Sequence, residues 1–229
     1  MKTAKWNIKN NATEAEVWLY DEIGDDWSGN GISAKAFVED LNRLPASVDA
    51  ITVRVNSPGG NVWDGMAMYQ ALLRHRARVV VEIDACAASI ASVIAMAGDT
   101  IRMANTSSMM IHDPYTFAAG NAQELRELAE LLDHVAGNIV TAYARRDGVD
   151  EDAIRESMRA ETWYTAAEAV AAGLVDECVE APAAVAAKIP PGRFRNTPKA
   201  LQGTQAESPK PQHARRRIEE ARRVLTSKG

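Results

Sequence analysis

Ser89 lies within Asp84-Ala85-Cys86-Ala87-Ala88-Ser89-Ile90-Ala91-Ser92, and 23 residues later His112 closes the run Met110-Ile111-His112-Asp113-Pro114. A serine flanked by small residues, after the strand-like Val79-Val80-Val81-Glu82-Ile83, can occupy a strand-to-helix turn. Its hydroxyl is then exposed where unsatisfied first-turn N–H groups favour developing negative charge. A histidine ending a second apolar run can supply the base that such a hydroxyl needs to become a nucleophile. The same residues fit a plainer arrangement, with Ser89 as the N-cap of an alanine-rich core helix and His112 as a hydrogen-bonded strand end. Cys86, three residues before Ser89, is the other thiol or hydroxyl to weigh; buried cysteines are usually inert, and the serine fits the turn better.

A third stretch shifts the balance. Val55-Asn56-Ser57-Pro58-Gly59-Gly60 directly follows the apolar run Ile51-Thr52-Val53-Arg54-Val55. Pro58 fixes one φ angle, while Gly59 and Gly60 open backbone conformations closed to other residues. Such a loop, leading into a helix from Asn61, can present backbone N–H groups to an oxyanion in acyl transfer. It can also be simple turn chemistry. A phosphate cradle is disfavoured because no Gly-Lys-Ser/Thr follows.

The elements that must hold these residues alternate. Residues 5–9 and 15–20 read as a hairpin, and a helix begins at Ser33 and runs to about Asn42, with Phe37, Val38 and Leu41 on one face. Strand 50–55, helix 61–75, strand 78–83 and helix 89–98 follow, a β-α alternation that favours right-handed parallel crossovers. Short strands near 100–103 and 108–111 deliver His112. A long helix is expected from about Ala122 to Arg145, with Leu125, Leu128, Leu132, Val135, Ile139 and Tyr143 on its apolar face.

The ordered set Asn56-Ser57-Pro58-Gly59-Gly60, Ala87-Ala88-Ser89, Met110-Ile111-His112 and Ala166-Ala167-Glu168-Ala169 resembles the Clp-type serine peptidases, from about Ile23 to Val179. The resemblance implies a crotonase-like α/β superhelix of stacked β-β-α turns, assembled into homo-oligomeric rings with the active sites inside. It implies Ser89 as nucleophile and His112 as general base. The oxyanion donors are then the backbone N–H of Gly59 or Gly60 with that of Ile90. The third catalytic residue departs from the family. Where an aspartate precedes an aromatic residue just before the Ser/Thr-Ala-x-Glu-Ala stretch, this chain has Glu161 in Ala160-Glu161-Thr162-Trp163-Tyr164-Thr165-Ala166. A glutamate can orient a histidine as an aspartate does, provided the backbone stands further back. Asp113, Asp152 and Glu156 are the other acids nearby in sequence, and Asp113 stands where the family usually has glutamine. The helix from Ala122 corresponds to the family's handle, through which two rings dock; a plain amphipathic helix packed on its own domain is the alternative.

The stretches Trp18-Leu19-Tyr20-Asp21-Glu22-Ile23-Gly24, Gly31-Ile32-Ser33-Ala34-Lys35 and Glu161-Thr162-Trp163-Tyr164-Thr165-Ala166 are similar to the phage and prophage branch, whose members are head-maturation proteases. On that basis the expected substrate is a peptide or protein, such as a capsid or scaffold protein, in the host cytoplasm or the prohead. No nucleotide loop, metal-ligand cluster or cofactor loop is visible, so any ATP dependence would reside in a separate unfoldase. Three other functions stay open: a housekeeping peptidase with an ATPase partner, an acyl-CoA enzyme on the same fold that uses carboxylates, and a catalytically silent assembly or scaffolding protein.

Charge divides the 229 residues in two. Residues 1–180 carry 15 basic and 28 acidic side chains, whereas 181–229 carry 11 basic and 3 acidic. The expectation is a peptidase domain over 1–180 and, over 181–229, a Pro/Ala-rich linker with a disordered or partly helical basic tail. Ile189-Pro190-Pro191-Gly192 reads as linker, and His213 to Leu225 as a short basic helix. An arginine run is most often a solvated face, so nucleic acid is not the expected partner. No apolar run reaches the roughly 18 residues of a membrane span, and Met1–Asn7 lacks the apolar stretch of a secretory signal. Two cysteines imply no disulfide scaffold.

Overall fold

Strict alternation in Ala50–Ser57 turns Ile51, Val53, Val55 and Ser57 inward and sends Thr52, Arg54 and Asn56 outward, the signature of a strand with one apolar face. In the computed structural model this strand (β3) is central. The structure describes residues 5–8, 13–24, 31–181, 189–190 and 192–202. Strands β1 (Lys5–Ile8) and β2 (Glu14–Leu19) form the expected antiparallel pair. β2, β3 and β4 (Arg78–Ala88) then run parallel, with Val53 opposite both Val17 and Val81. Helices α1 (Ala34–Asn42), α2 (Val62–Arg74) and α3 (Ile90–Ala95) bury Phe37, Leu41, Met68, Leu72, Val93 and Ile94 in the main core.

The strand expected over 78–83 continues to Ala88. Asp84-Ala85-Cys86-Ala87-Ala88 lacks the bulky β-branched residues that mark strands, but its small side chains let it pass through a wholly buried region. The extension matters because β4 serves two partners. Val80–Ile83 pair with β5 (Thr100–Ala104), and Cys86–Ala88 pair with β6 (Ser108–Ile111), both parallel. β5 pairs onward with β8 (Glu177–Val179), and β6 pairs antiparallel with β7 (Thr162–Thr165). The helix expected over 89–98 is shorter, ending at Ala95 in turns that close on Gly98.

The outward face of the parallel sheet carries charge in register. Arg54 on β3 donates to Glu82 at 2.6 Å and to Asp84 on β4, and reaches Glu16 on β2 at 3.5 Å. Tyr20 donates to Asp84 at 2.5 Å, and Arg102 on β5 reaches Glu177 on β8 at 3.0 Å.

The long helix forms as expected, α4 (Ala122–Ala144), opened by a capping box of Asn121 and Glu124. Its apolar stripe divides. Val135, Ile139 and Tyr143 are buried in the domain, Leu128 and Leu132 are half-buried, and Leu125 and Leu131 are exposed. α5 (Glu151–Ala160) leads into β7, and α6 (Ala166–Ala171), with its own Thr165–Glu168 capping box, leads to β8. The chain expected to be featureless linker is not so throughout. Ile189 and Phe194 are buried against Cys86, Ala88 and Met110, and 199–201 form a 3₁₀ turn. The expected basic helix at 213–225 lies outside the described residues. Among the described residues, no helix is long and apolar enough to cross a membrane.

Candidate active site

Ser89 follows the last residue of β4. The β4–β6 ladder runs on into it: after Ala88 pairs with Met110, the Ser89 N–H donates to Met110 O at 2.9 Å. His112 follows Ile111, the last residue of β6. The two side chains therefore leave neighbouring strand ends, and His112 Nε2 lies 2.7 Å from Ser89 Oγ. Ser89 occupies the N-cap position of α3, yet its hydroxyl caps no helix N–H. Its backbone is at φ 56, ψ −131, a region that only surrounding structure can impose on a non-glycine residue. The plain-cap alternative is thereby excluded, since the hydroxyl is committed to the imidazole.

Two residues assigned no part in the site from sequence, Ser92 and Tyr143, hold that backbone. Ser92 Oγ lies 2.5 Å from Ser89 O, 3.0 Å from Met110 O and 2.7 Å from the Tyr143 hydroxyl. With one proton for two carbonyls, Ser92 donates to them and accepts from Tyr143. Both side chains are fully buried, so the network ties the turn to β6 and α4 at once. The available signal was a second serine three residues after the first, on the same helical face.

Ser57 Oγ donates to Asp21 O at 2.6 Å and accepts from the Gly59 N–H at 3.1 Å. Gly59, at φ +83, packs so closely on the serine turn that a Cβ there would lie 2.6 Å from Ala88 O and 2.7 Å from Ser89 Cβ. Only glycine fits. The Gly59 N–H is thus used inside the loop, while Gly60 lines the same cavity as Ser89 and Ile90. Asn61 caps α2, accepting from Trp63 N and Asp64 N.

That cavity has a volume of about 440 Å³ and runs from Ser89 and His112 along α4, where Leu128, Leu132 and Val135 make an apolar wall. Trp63 and Phe117 stand exposed at its margin.

Glu161 is the residue after α5, in left-handed conformation at φ 52. The β6–β7 register pairs Ile111 with Thr162, so one step further sets Glu161 across from His112. Its side chain is buried, and its charge pulls the His112 pKa upward. Among the described residues, however, its carboxylate accepts from the chain at 192–202: from Arg195 N at 3.0 Å and from Asn196 N at 2.5 Å. The only hydrogen bond to the His112 ring among them is that of Ser89. Burial outweighs Glu161 and, with Arg193 and Arg195, holds His112 below the ordinary histidine value, so the imidazole is neutral and able to accept a proton at pH 7.

Of the rival groups, only Asp113 adjoins the site. Cys86 is buried within β4, and burial pushes its thiol up to about 12, away from thiolate chemistry. Asp152 and Glu156 are exposed on α5. Asp113 lies beside His112, with burial raising its carboxyl above the usual range. Among the described residues, no group of three or more His, Cys, Asp or Glu could hold a metal.

Residues 4–182 match the family model described as Clp protease. The chain belongs to the Clp protease family. It is 30% identical over 163 residues to the "ATP-dependent Clp protease proteolytic subunit" of Bacteroides fragilis, covering 70% of this chain and 77% of that one. It is 31% identical over 162 residues to the protein of the same name from Ligilactobacillus salivarius, covering 70% and 80%. The "ATP-dependent Clp protease proteolytic subunit 1" of Leifsonia xyli subsp. xyli is 28% identical over 175 residues, covering 74% and 85%. This Clp-family chain is a serine-type peptidase, and the mixed α/β fold around its parallel sheet is consistent with that family.

Proposed function

We propose that the chain is a serine endopeptidase in which Ser89 is the nucleophile and His112 its general base. The observation that carries this reading is the 2.7 Å approach of His112 Nε2 to a serine whose strained backbone leaves its hydroxyl uncapped. Ser89 Oγ attacks the peptide carbonyl as His112 takes its proton, and the protonated imidazole then gives that proton to the leaving amine. The tetrahedral oxyanion is held by the N–H of Ile90 with that of Gly60, chosen over Gly59 because Ser57 already engages the latter. Water, activated by the same base, releases the acyl group. Glu161 is the acid that stabilises the imidazolium, through its charge in the arrangement described and through a hydrogen bond when its carboxylate is free to turn.

Substrate peptide lies extended beside the Gly59–Gly60 loop, with an apolar side chain against Leu128 and Leu132. Leu125 and Leu131, exposed on the outer half of α4, favour a homo-oligomeric ring assembly in which that half is covered by other copies. The sequence texture around Trp18 and Trp163 and the basic C-terminal composition favour capsid maturation, with a capsid or scaffold protein as substrate. The relatives' shared name supports a second reading, in which the chain is the proteolytic subunit of a cytoplasmic system with a separate ATP-dependent unfoldase.

The deciding experiment is labelling of the assembled protein with a fluorophosphonate probe, read by intact mass and peptide mapping. One adduct is expected on Ser89, absent in Ser89→Ala and His112→Ala. A folded, assembled sample that takes up no probe would sink the catalytic reading in favour of a silent assembly protein.

A further inference from the structure

Residues 192–202 form a strap across the acid side of the site, and its contacts follow a pattern. Arg193 pairs with Glu22 at 2.7 Å. Phe194 is buried, its ring edge-on to His112 with centroids 5.4 Å apart and to Trp163 at 5.8 Å. Arg195 Nε stands 3.7 Å from Glu161, whose two carboxylate oxygens accept the N–H groups of Arg195 and Asn196. The Asn196 side chain also donates to Ala160 O at 2.8 Å. Ile189, bridged to Gln202, closes the loop against Cys86 and Met110. The seat therefore offers two acids flanking an aromatic slot, and the strap fills it with base, aromatic ring and base in consecutive positions.

We propose that Glu22, Glu161 and the slot between His112 and Trp163 are a recognition site for a basic–aromatic–basic peptide segment. Arg193-Phe194-Arg195 fills it in cis and restrains the enzyme by keeping Glu161 off His112. The inference rests on the peptidase reading above. While the strap is seated, both oxygens of Glu161 are spent on its amides and the imidazole has the acid's charge without its hydrogen bond. When the strap leaves, or a segment of the same chemistry replaces it without supplying both amides, Glu161 can turn to the His112 ring. The bound state is one of two populations, and any ligand preferring one of them shifts the rate.

The test uses the full chain. Its readout is the rate of fluorophosphonate labelling at Ser89. Arg193→Ala/Phe194→Ala is expected to label about tenfold faster than wild type or more, a part of the roughly 10⁴ that an orienting acid can supply. Glu22→Gln, which loosens the strap from the body side without opening the apolar seat, is expected to accelerate labelling less. A synthetic peptide spanning residues 189–202 should slow the double variant again, and the same peptide with alanine for Phe194 should not.

The pH profile is a second readout. His112 faces Glu161 from the end of α5, Arg193 and Arg195 from the strap, and Asp113 and Tyr115 on its own loop. Unseating the strap carries Arg193 and Arg195 away from His112, or removes Arg193 outright, and releases Glu161. Each change favours the imidazolium, so the acid limb should move to higher pH in the accelerated variants. If wild type labels on Ser89 but both folded variants label no faster, the restraint proposal is overturned and the peptidase reading stands. If no form labels, both fall.

Discussion

Ser89 and Glu161 are the only non-glycine residues with positive φ among the described residues, at 56° and 52°, and they are held in opposite ways. Ser89 is fixed from within the body. The β4–β6 ladder reaches it through Met110 O, Ser92 braces its carbonyl, and Gly59 packs beneath it. Glu161 sits at a helix end, and its side chain is fixed by a strap contributed from more than thirty residues further along the chain. A nucleophile braced on all sides costs nothing to organise at the moment of reaction. On the proposed roles, an acid braced by a segment that can leave is open to switching. Rigidity and adjustability are thus assigned to different members of one site.

Substitutions can break this contrast, beginning on the rigid side. Gly59→Ala should cost about 10²–10³ in kcat on a fluorogenic peptide, because a Cβ there must push Ala88 or Ser89 aside and displace the neighbouring Ile90 N–H, a loss on the scale of one oxyanion donor. Wild-type kcat in that variant would mean that the serine turn is not rigidly supported from below. On the adjustable side, Glu161→Gln should lower kcat about tenfold while KM moves by less than about twofold, short of the 10⁴ seen when a hydrogen-bonded triad acid is neutralised. The sign of the pH effect follows from the charges. Glu161 raises the His112 pKa, so its neutralisation should move the acid limb of kcat/KM to lower pH, and a limb that stays in place would detach Glu161 from His112. Tyr143→Phe is the mildest change. It should lower stability to denaturant by about 1 kcal/mol, the ordinary worth of one hydrogen bond, and slow Ser89 labelling by no more than a few fold.

The parts visible from sequence are those in which local pattern and tertiary role agree. Alternation in Ala50–Ser57 marks β3, Asn61 and Asn121 cap the helices they precede, and small residues around Ser89 mark a turn. The Ser–His approach was readable in outline because small residues after the apolar start of β4 mark a turn at Ser89, and His112 closes the apolar run of β6. The far half of β4 was hidden because alanine and cysteine carry little strand preference, and its order comes from β3 and β6 on either side. The strap was hidden for a related reason. Ile189-Pro190-Pro191-Gly192 has a linker's composition, and two apolar side chains cannot order a segment alone; Cys86, Ala88 and Met110 supply the seat. That Glu161 would accept from Arg195 and Asn196 could not be read from spacing, since nothing local links them.

β4 also separates chemistry from selectivity. Because Ser89 and His112 are registered by adjacent strands, their spacing is set by the ladder. Beyond Tyr115, whose ring centroid lies 5.7 Å from that of His112, residues 116–121 lead away toward α4 with Phe117 exposed on their surface. In the proposed mechanism, insertions or grafted sequences within 116–121 can reshape which peptides enter while the contacts of His112 with Tyr115 and Ser89 are kept. On the proposed roles the site is in this sense modular: new preferences can be written into its mouth while the strand-registered Ser89 and His112 stay in place.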